Sequence, residues 1–132
     1  MDAFDPTAWS AALLGLFCIA VAIGALRQPG LWRQMVDEID GSPALQLISG
    51  FCELSVGAAI FLLNPWIRGD LLAMIVKTIG GLMMAEALVV MAMSDIYFHF
   101  WLKNLAALHR LWPLFTLMAG LALAIAGMMR LA

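Results

Sequence analysis

Charge is scarce in this chain. Across 132 residues, Asp, Glu, Lys and Arg make up 12%, about half of the roughly 25% carried by an ordinary soluble domain. That leaves too little polar surface to cover a water-soluble globule, and a soluble enzyme is excluded. A disordered chain is excluded as well, because disorder goes with low hydrophobicity and high charge. Basic runs are missing: seven Lys and Arg stand against nine Asp and Glu. Nothing therefore points to nucleic acid or to a polybasic grip on lipid headgroups. Only two cysteines occur, Cys18 and Cys52, both inside apolar runs. They form no CxxC and no metal-ligand spacing, and no disulfide scaffold. G-x-S-x-G, HExxH, Walker A and Rossmann signatures are all lacking, so the expectation is a non-catalytic protein with no cofactor and no metal. A secretory leader needs a basic flank and a short apolar core. Here the flank is Met-Asp-Ala-Phe-Asp-Pro and the apolar run behind it is long, which predicts an uncleaved first span.

What the chain has is grease: 64% of it is apolar and its mean hydropathy is +0.98. A bilayer core of roughly 30 Å needs about 20 apolar residues per helix. Four runs meet that length, near 7–26, 44–63, 71–93 and 114–131. Asp5, Ser42 and Asp70 are natural N-caps for the first three, and Pro6, Pro43 and Pro113 suit first-turn positions. Two connections look helical themselves. In 31–39 the apolar residues Leu31, Trp32, Met35, Val36 and Ile39 share one face, while Arg33, Gln34, Asp37 and Glu38 take the other. The stretch 96–111 is rich in aromatics, including Tyr97 and Trp101, and carries His99, Lys103, His109 and Arg110. Both read as interfacial amphipathic helices. The predicted fold is all-α: an integral membrane four-helix bundle forming one transmembrane domain.

The halves align at an offset of 70. Pro43 falls on Pro113, Leu47 on Leu117, Gly50 on Gly120 and Gly57 on Gly127. This predicts two tandem parallel two-span units, about 7–64 and 70–132, each with its interfacial helix. The first unit carries Pro29-Gly30-Leu31-Trp32-Arg33-Gln34-Met35, and Glu86 lies before the turn that ends the third run. On these residues the unit resembles the small YjeT-like bacterial inner-membrane proteins, and the whole chain a duplicated form of them. In the second unit Ser94-Asp95 replaces the Pro-Gly turn. The resemblance implies a bacterial inner-membrane protein and carries no established chemistry. Arg27, Arg33, Lys103 and Arg110 lie on the side of the two amphipathic helices, against Arg68 and Arg130, with Lys77 able to snorkel to the latter side. The positive-inside rule then puts the amphipathic helices in the cytoplasm and both termini outside.

Three ionisable residues, Glu53, Lys77 and Glu86, fall inside predicted spans, where charge is costly and functional by default. Counting residues from the span ends puts Glu53 and Lys77 about 6 Å apart in depth, within reach of an ion pair. A protonated Glu53 and a transported ion or proton remain alternatives. Glu86 has no charge partner in its own span and is a candidate for contact with a partner subunit, together with Tyr97, Trp101 and Trp112. Gly15, Gly24, Gly50, Gly57, Gly120 and Gly127 are candidate helix-packing positions. Cys18 and Cys52 share a depth and would touch if the first two spans pack. His99 and His109 read as solvated interfacial residues. The functional expectation is an accessory or assembly subunit of a larger bacterial membrane complex, respiratory or photosynthetic, with lipid and membrane-protein partners. The alternative is a small oligomeric transporter or channel using Glu53, Lys77 and Glu86.

Overall fold

A computed structural model describes residues 4–28, 30–108 and 111–131, with backbone alone for 102 and 104–108. Six helices follow one another: α1 (Pro6–Arg27), α2 (Leu31–Asp40), α3 (Pro43–Leu63), α4 (Leu71–Ala92), α5 (Ser94–Leu108) and α6 (Leu111–Leu131). Among the described residues there is no strand. Four of the six, α1, α3, α4 and α6, are long and apolar enough to cross a membrane. Local chemistry sets their starts. The Asp5 side chain accepts from Ala8 N–H at 3.2 Å, Ser42 from Leu45 N–H at 3.3 Å and Asp70 from Ala73 N–H at 3.1 Å. Each bond satisfies one of the orphan donors of a helix N-terminus. Helix α6 opens three residues before the expected Leu114, so Pro113 is its third residue. No N–H there has an intrahelical acceptor in any case, so proline costs the helix nothing. Gly30 makes the corner into α2 at φ 89°, a left-handed backbone that favours glycine.

The spanning helices pack as two close pairs, α1 on α6 and α3 on α4, while α2 lies against α5. Small residues make the pairs close. A Cβ added at Gly127 would stand 2.6 Å from Ala8 O, and one at Gly120 2.9 Å from Gly15 O. In the other pair, a Cβ at Gly57 would stand 2.9 Å from Gly80 O, and one at Gly50 2.6 Å from Met91 Cγ. Gly15 sits against Gly120 and Ala124 in the same way. Gly24 does not belong to a seam: its only neighbour is a Leu31 methyl at 3.8 Å, because it has reached the corner where α1 gives way to α2. The buried core is mostly alanine, and the large apolar side chains point outward. That arrangement suits lipid, where close van der Waals packing replaces hydrophobic exclusion as the glue.

At one end of the bundle Arg130 clasps three elements. Its Nη2 lies 3.0 Å from Asp5 Oδ2 and its Nη1 2.8 Å from Asp70 Oδ1. The last turn of α6 is thereby tied to the N-caps of α1 and α4. Partial burial would push the Asp70 carboxyl up, but the Ala73 N–H and the Arg130 guanidinium outweigh it and hold it below the ordinary carboxylate value.

Candidate functional site

Helices α1 and α3 diverge rather than pack, which leaves a groove of about 1020 Å³ between the two close pairs. Trp9, Leu13 and Phe17 form one wall and Cys52, Glu53 and Val56 the other, with Trp32 of α2 at one end and Met83 of α4 behind. The lining is almost wholly apolar, Ser10, Ser49 and Glu53 being its polar side chains.

Helix register decides what Glu53 meets. In the α3–α4 hairpin, Gly57 faces Gly80, Met83 and Met84, and Gly50 faces Ala87 and Met91. The facing residue numbers sum to between 137 and 141, so Glu53 stands level with Glu86. Their carboxyls stand close enough to act on each other. Tyr97 of α5 donates its hydroxyl to Glu86 Oε2 at 2.5 Å. Burial first, and then the hydrogen bond and charge of Glu86, push the Tyr97 phenol well above its ordinary value, so it stays protonated and donating. A chain of three exchangeable groups thus runs from α5 to the groove wall.

The expected Glu53–Lys77 ion pair does not form. The same register puts Lys77 level with residue 62, about 13 Å along α3 from Glu53. Residue counting from the span ends missed this because α3 and α4 are offset along each other. Lys77 instead caps the end of α3, donating to Phe61 O at 2.7 Å and Asn64 O at 3.0 Å, with its ammonium 3.8 Å from the Phe61 ring centroid. A cation at a helix C-terminus is favoured by the dipole as well as by the free carbonyls. Asn64, 1% exposed, completes the cap by donating to Ile60 O at 2.8 Å and Ser10 Oγ at 3.3 Å, and its Oδ1 is left without a partner.

Nor is Glu86 an acid without a partner inside the chain, since Glu53 and Tyr97 both meet it. Trp101 and Trp112 stack edge to face at 5.1 Å, and Phe115 stacks on Trp112. Cys18 faces Gly120 of α6 whereas Cys52 lines the groove, so the two cysteines do not meet. His99 is exposed, and His109 and Arg110 lie outside the described residues. No three His, Cys, Asp or Glu side chains gather as a metal site among the described residues. Sequence reasoning missed Asn64, Trp9 and Arg130. Arg130 had a signal, a base in the last turn of a span whose neighbours on that side open with acidic caps. Trp9 had none, because the groove exists only where α1 and α3 part.

The class is clear from these features: an all-helical bundle with four helices fit to cross a membrane, and a laterally placed groove holding a carboxyl. No family model, curated protein or solved structure matches the chain.

Proposed function

We propose that this protein is a non-catalytic membrane protein that binds a lipophilic small molecule in the groove between α1 and α3. The observation that carries this reading is a concave, apolar space of about 1020 Å³ with a single acidic side chain in its wall. Ligand sites are typically of that size, mostly apolar, with a few polar groups fixing orientation. Glu53 lies ten residues into α3, about 15 Å along the helix axis. A molecule that meets Glu53 therefore has its polar group inside the bilayer. The test is labelling of the protein in membranes with a neutral photoactivatable alkyl probe, followed by mapping of adducts. Adducts should concentrate on Trp9, Phe17, Cys52 and Val56. Labelling no denser there than at Leu82 and Leu121 on the outer faces would refute the reading.

The accessory-subunit reading stands second. Its support is the aromatic corner of Trp101, Trp112 and Phe115, with Phe115 67% exposed. Capture of a stoichiometric membrane-protein complex in gentle detergent, lost on Phe115→Ala, would favour it. Under either reading we place the protein in a bacterial inner membrane, with α2 and α5 in the cytoplasm and both termini outside. That orientation is supported by the four bases on the α2 and α5 side.

We also propose that the chain is a tandem repeat, a duplicated relative of the YjeT-like unit. The glycine contacts support this. Gly57 faces Gly80 O and Met84 N, and Gly127, 70 residues on, faces Ala8 O and Ala12 N. Gly50 faces Ala87 O, and Gly120 faces Gly15 O. The α4 partners sit 72 residues beyond their α1 counterparts in all three cases. Each unit then lends its first span to the last span of the other.

A further inference from the structure

We propose that the groove between α1 and α3 is a site for lipophilic monocations, with Glu53 as the counter-ion and Phe17 and Trp32 as the aromatic faces on its side of the groove. This rests on the groove being a ligand site and names the class of ligand. Two observations point to a cation. First, Glu53 is the single ionisable carboxyl or base among the groove's lining residues, so charge in the groove is of one sign. Two cations of the bundle are engaged elsewhere: Lys77 on the carbonyls of Phe61 and Asn64, and Arg130 on Asp5 and Asp70. Second, aromatic side chains line the groove, Phe17 of α1 and Trp32 of α2 toward Glu53 and Phe4 and Trp9 toward its other end, where Ser10 meets Asn64. Aromatic faces attract a cation, and more so when it is desolvated.

The carboxyl pair gives the site a means of exchange. Glu53 faces Glu86 from α4 and, through it, the Tyr97 hydroxyl from α5; α1 presents no titratable side chain to the groove among the described residues. A cation seated at Glu53 stands beside that pair, and a proton held between the two carboxyls is the charge it would displace. The displaced proton passes to Glu86, which the Tyr97 hydroxyl ties to the α5 side of the bundle. No bond to carbon forms or breaks, and one positive charge leaves as another arrives. An approaching cation therefore need not leave an uncompensated carboxylate behind when it departs, which lowers the cost of charge at this depth.

The test uses the full-length protein in nanodiscs with tetraphenylphosphonium as the probe, next to the neutral alkyl photoprobe. Wild-type protein should bind tetraphenylphosphonium saturably. Glu53→Gln should weaken that binding at least about tenfold, while groove labelling by the neutral probe stays unchanged. Glu53→Asp should restore much of it, and Phe17→Leu should weaken the cation more than the neutral probe. Undiminished cation binding in Glu53→Gln, with groove labelling intact, overturns the cation assignment and leaves the groove reading standing. Absence of both cation binding and groove labelling in wild-type protein overturns the two together.

Discussion

At the residue scale, Lys77 and Glu53 behave as separate devices. Lys77 holds the C-terminal end of α3 through two carbonyls, so Lys77→Met strands buried acceptors. The expected cost is about 1–3 kcal/mol, visible as a lower melting temperature in detergent. Glu53→Gln should not soften that loss. The double variant is expected to lie within roughly 0.5 kcal/mol of the sum of the singles, as for sites with no shared partner. A larger favourable coupling would mean that the two side chains pair after all. Tyr97 is the second test at this scale. Tyr97→Phe removes the donor to Glu86, a contact of the kind that averages about 0.6 kcal/mol inside membrane bundles. Its stability effect should be small, and smaller still when Glu86 is already Leu.

Among the elements, the pairs α1–α6 and α3–α4 depend on glycine more than on any large side chain. Gly127→Leu would drive a side chain into the Ala8 carbonyl, 2.6 Å from where its Cβ must sit. Overpacking of this kind costs typically about 1–3 kcal/mol, and here the obstacle is backbone, which cannot rotate aside. Thermal unfolding of Gly127→Leu should begin at clearly lower temperature than wild type. Gly24→Ala is the control. It meets nothing closer than a Leu31 methyl at 3.8 Å, so the better helix former should leave stability unchanged or raise it by up to about 1 kcal/mol. The caps of the spans were legible in the sequence, because Asp, Ser and Pro act over three or four residues. The register of α3 against α4 was not, because it is chosen by which glycines nest, a property of two surfaces at once.

For the whole molecule, the Arg130 clasp joins α1, α4 and α6 at one end, and it makes a prediction about pH. The Asp70 carboxyl is held below its ordinary value of 3.8. Its contribution to stability is therefore fully present above about pH 4 and is lost as pH falls through the lower folded value. Acidification of wild-type protein below that window should lower the melting temperature, and Arg130→Gln should flatten the dependence. The pairs are partly exposed, so each contributes at most about 1 kcal/mol. An identical acid profile in Arg130→Gln would assign the effect elsewhere. The orientation is tested on the same scale by single cysteines placed at positions 2 and 40 in a Cys18→Ala, Cys52→Ala background. An impermeant thiol reagent should label position 2 in intact cells, and labelling of position 40 instead would reverse the orientation.

The sequence alone determined that the chain is helical and greasy, where four spans lie, and what caps them. Those properties follow from length, hydropathy and chemistry within a few residues of each site. It also singled out Glu53, Lys77 and Glu86 as costly residues, because charge in an apolar run is legible without any fold. Their partners were decided only in three dimensions. Glu53 meets Glu86 rather than Lys77 because glycine contacts slide α3 along α4, an offset no run length encodes. The groove likewise belongs to no segment. It opens because α1 commits its small face to α6 and α3 commits its own to α4, leaving the larger side chains of α1 and α3 to face each other across a gap.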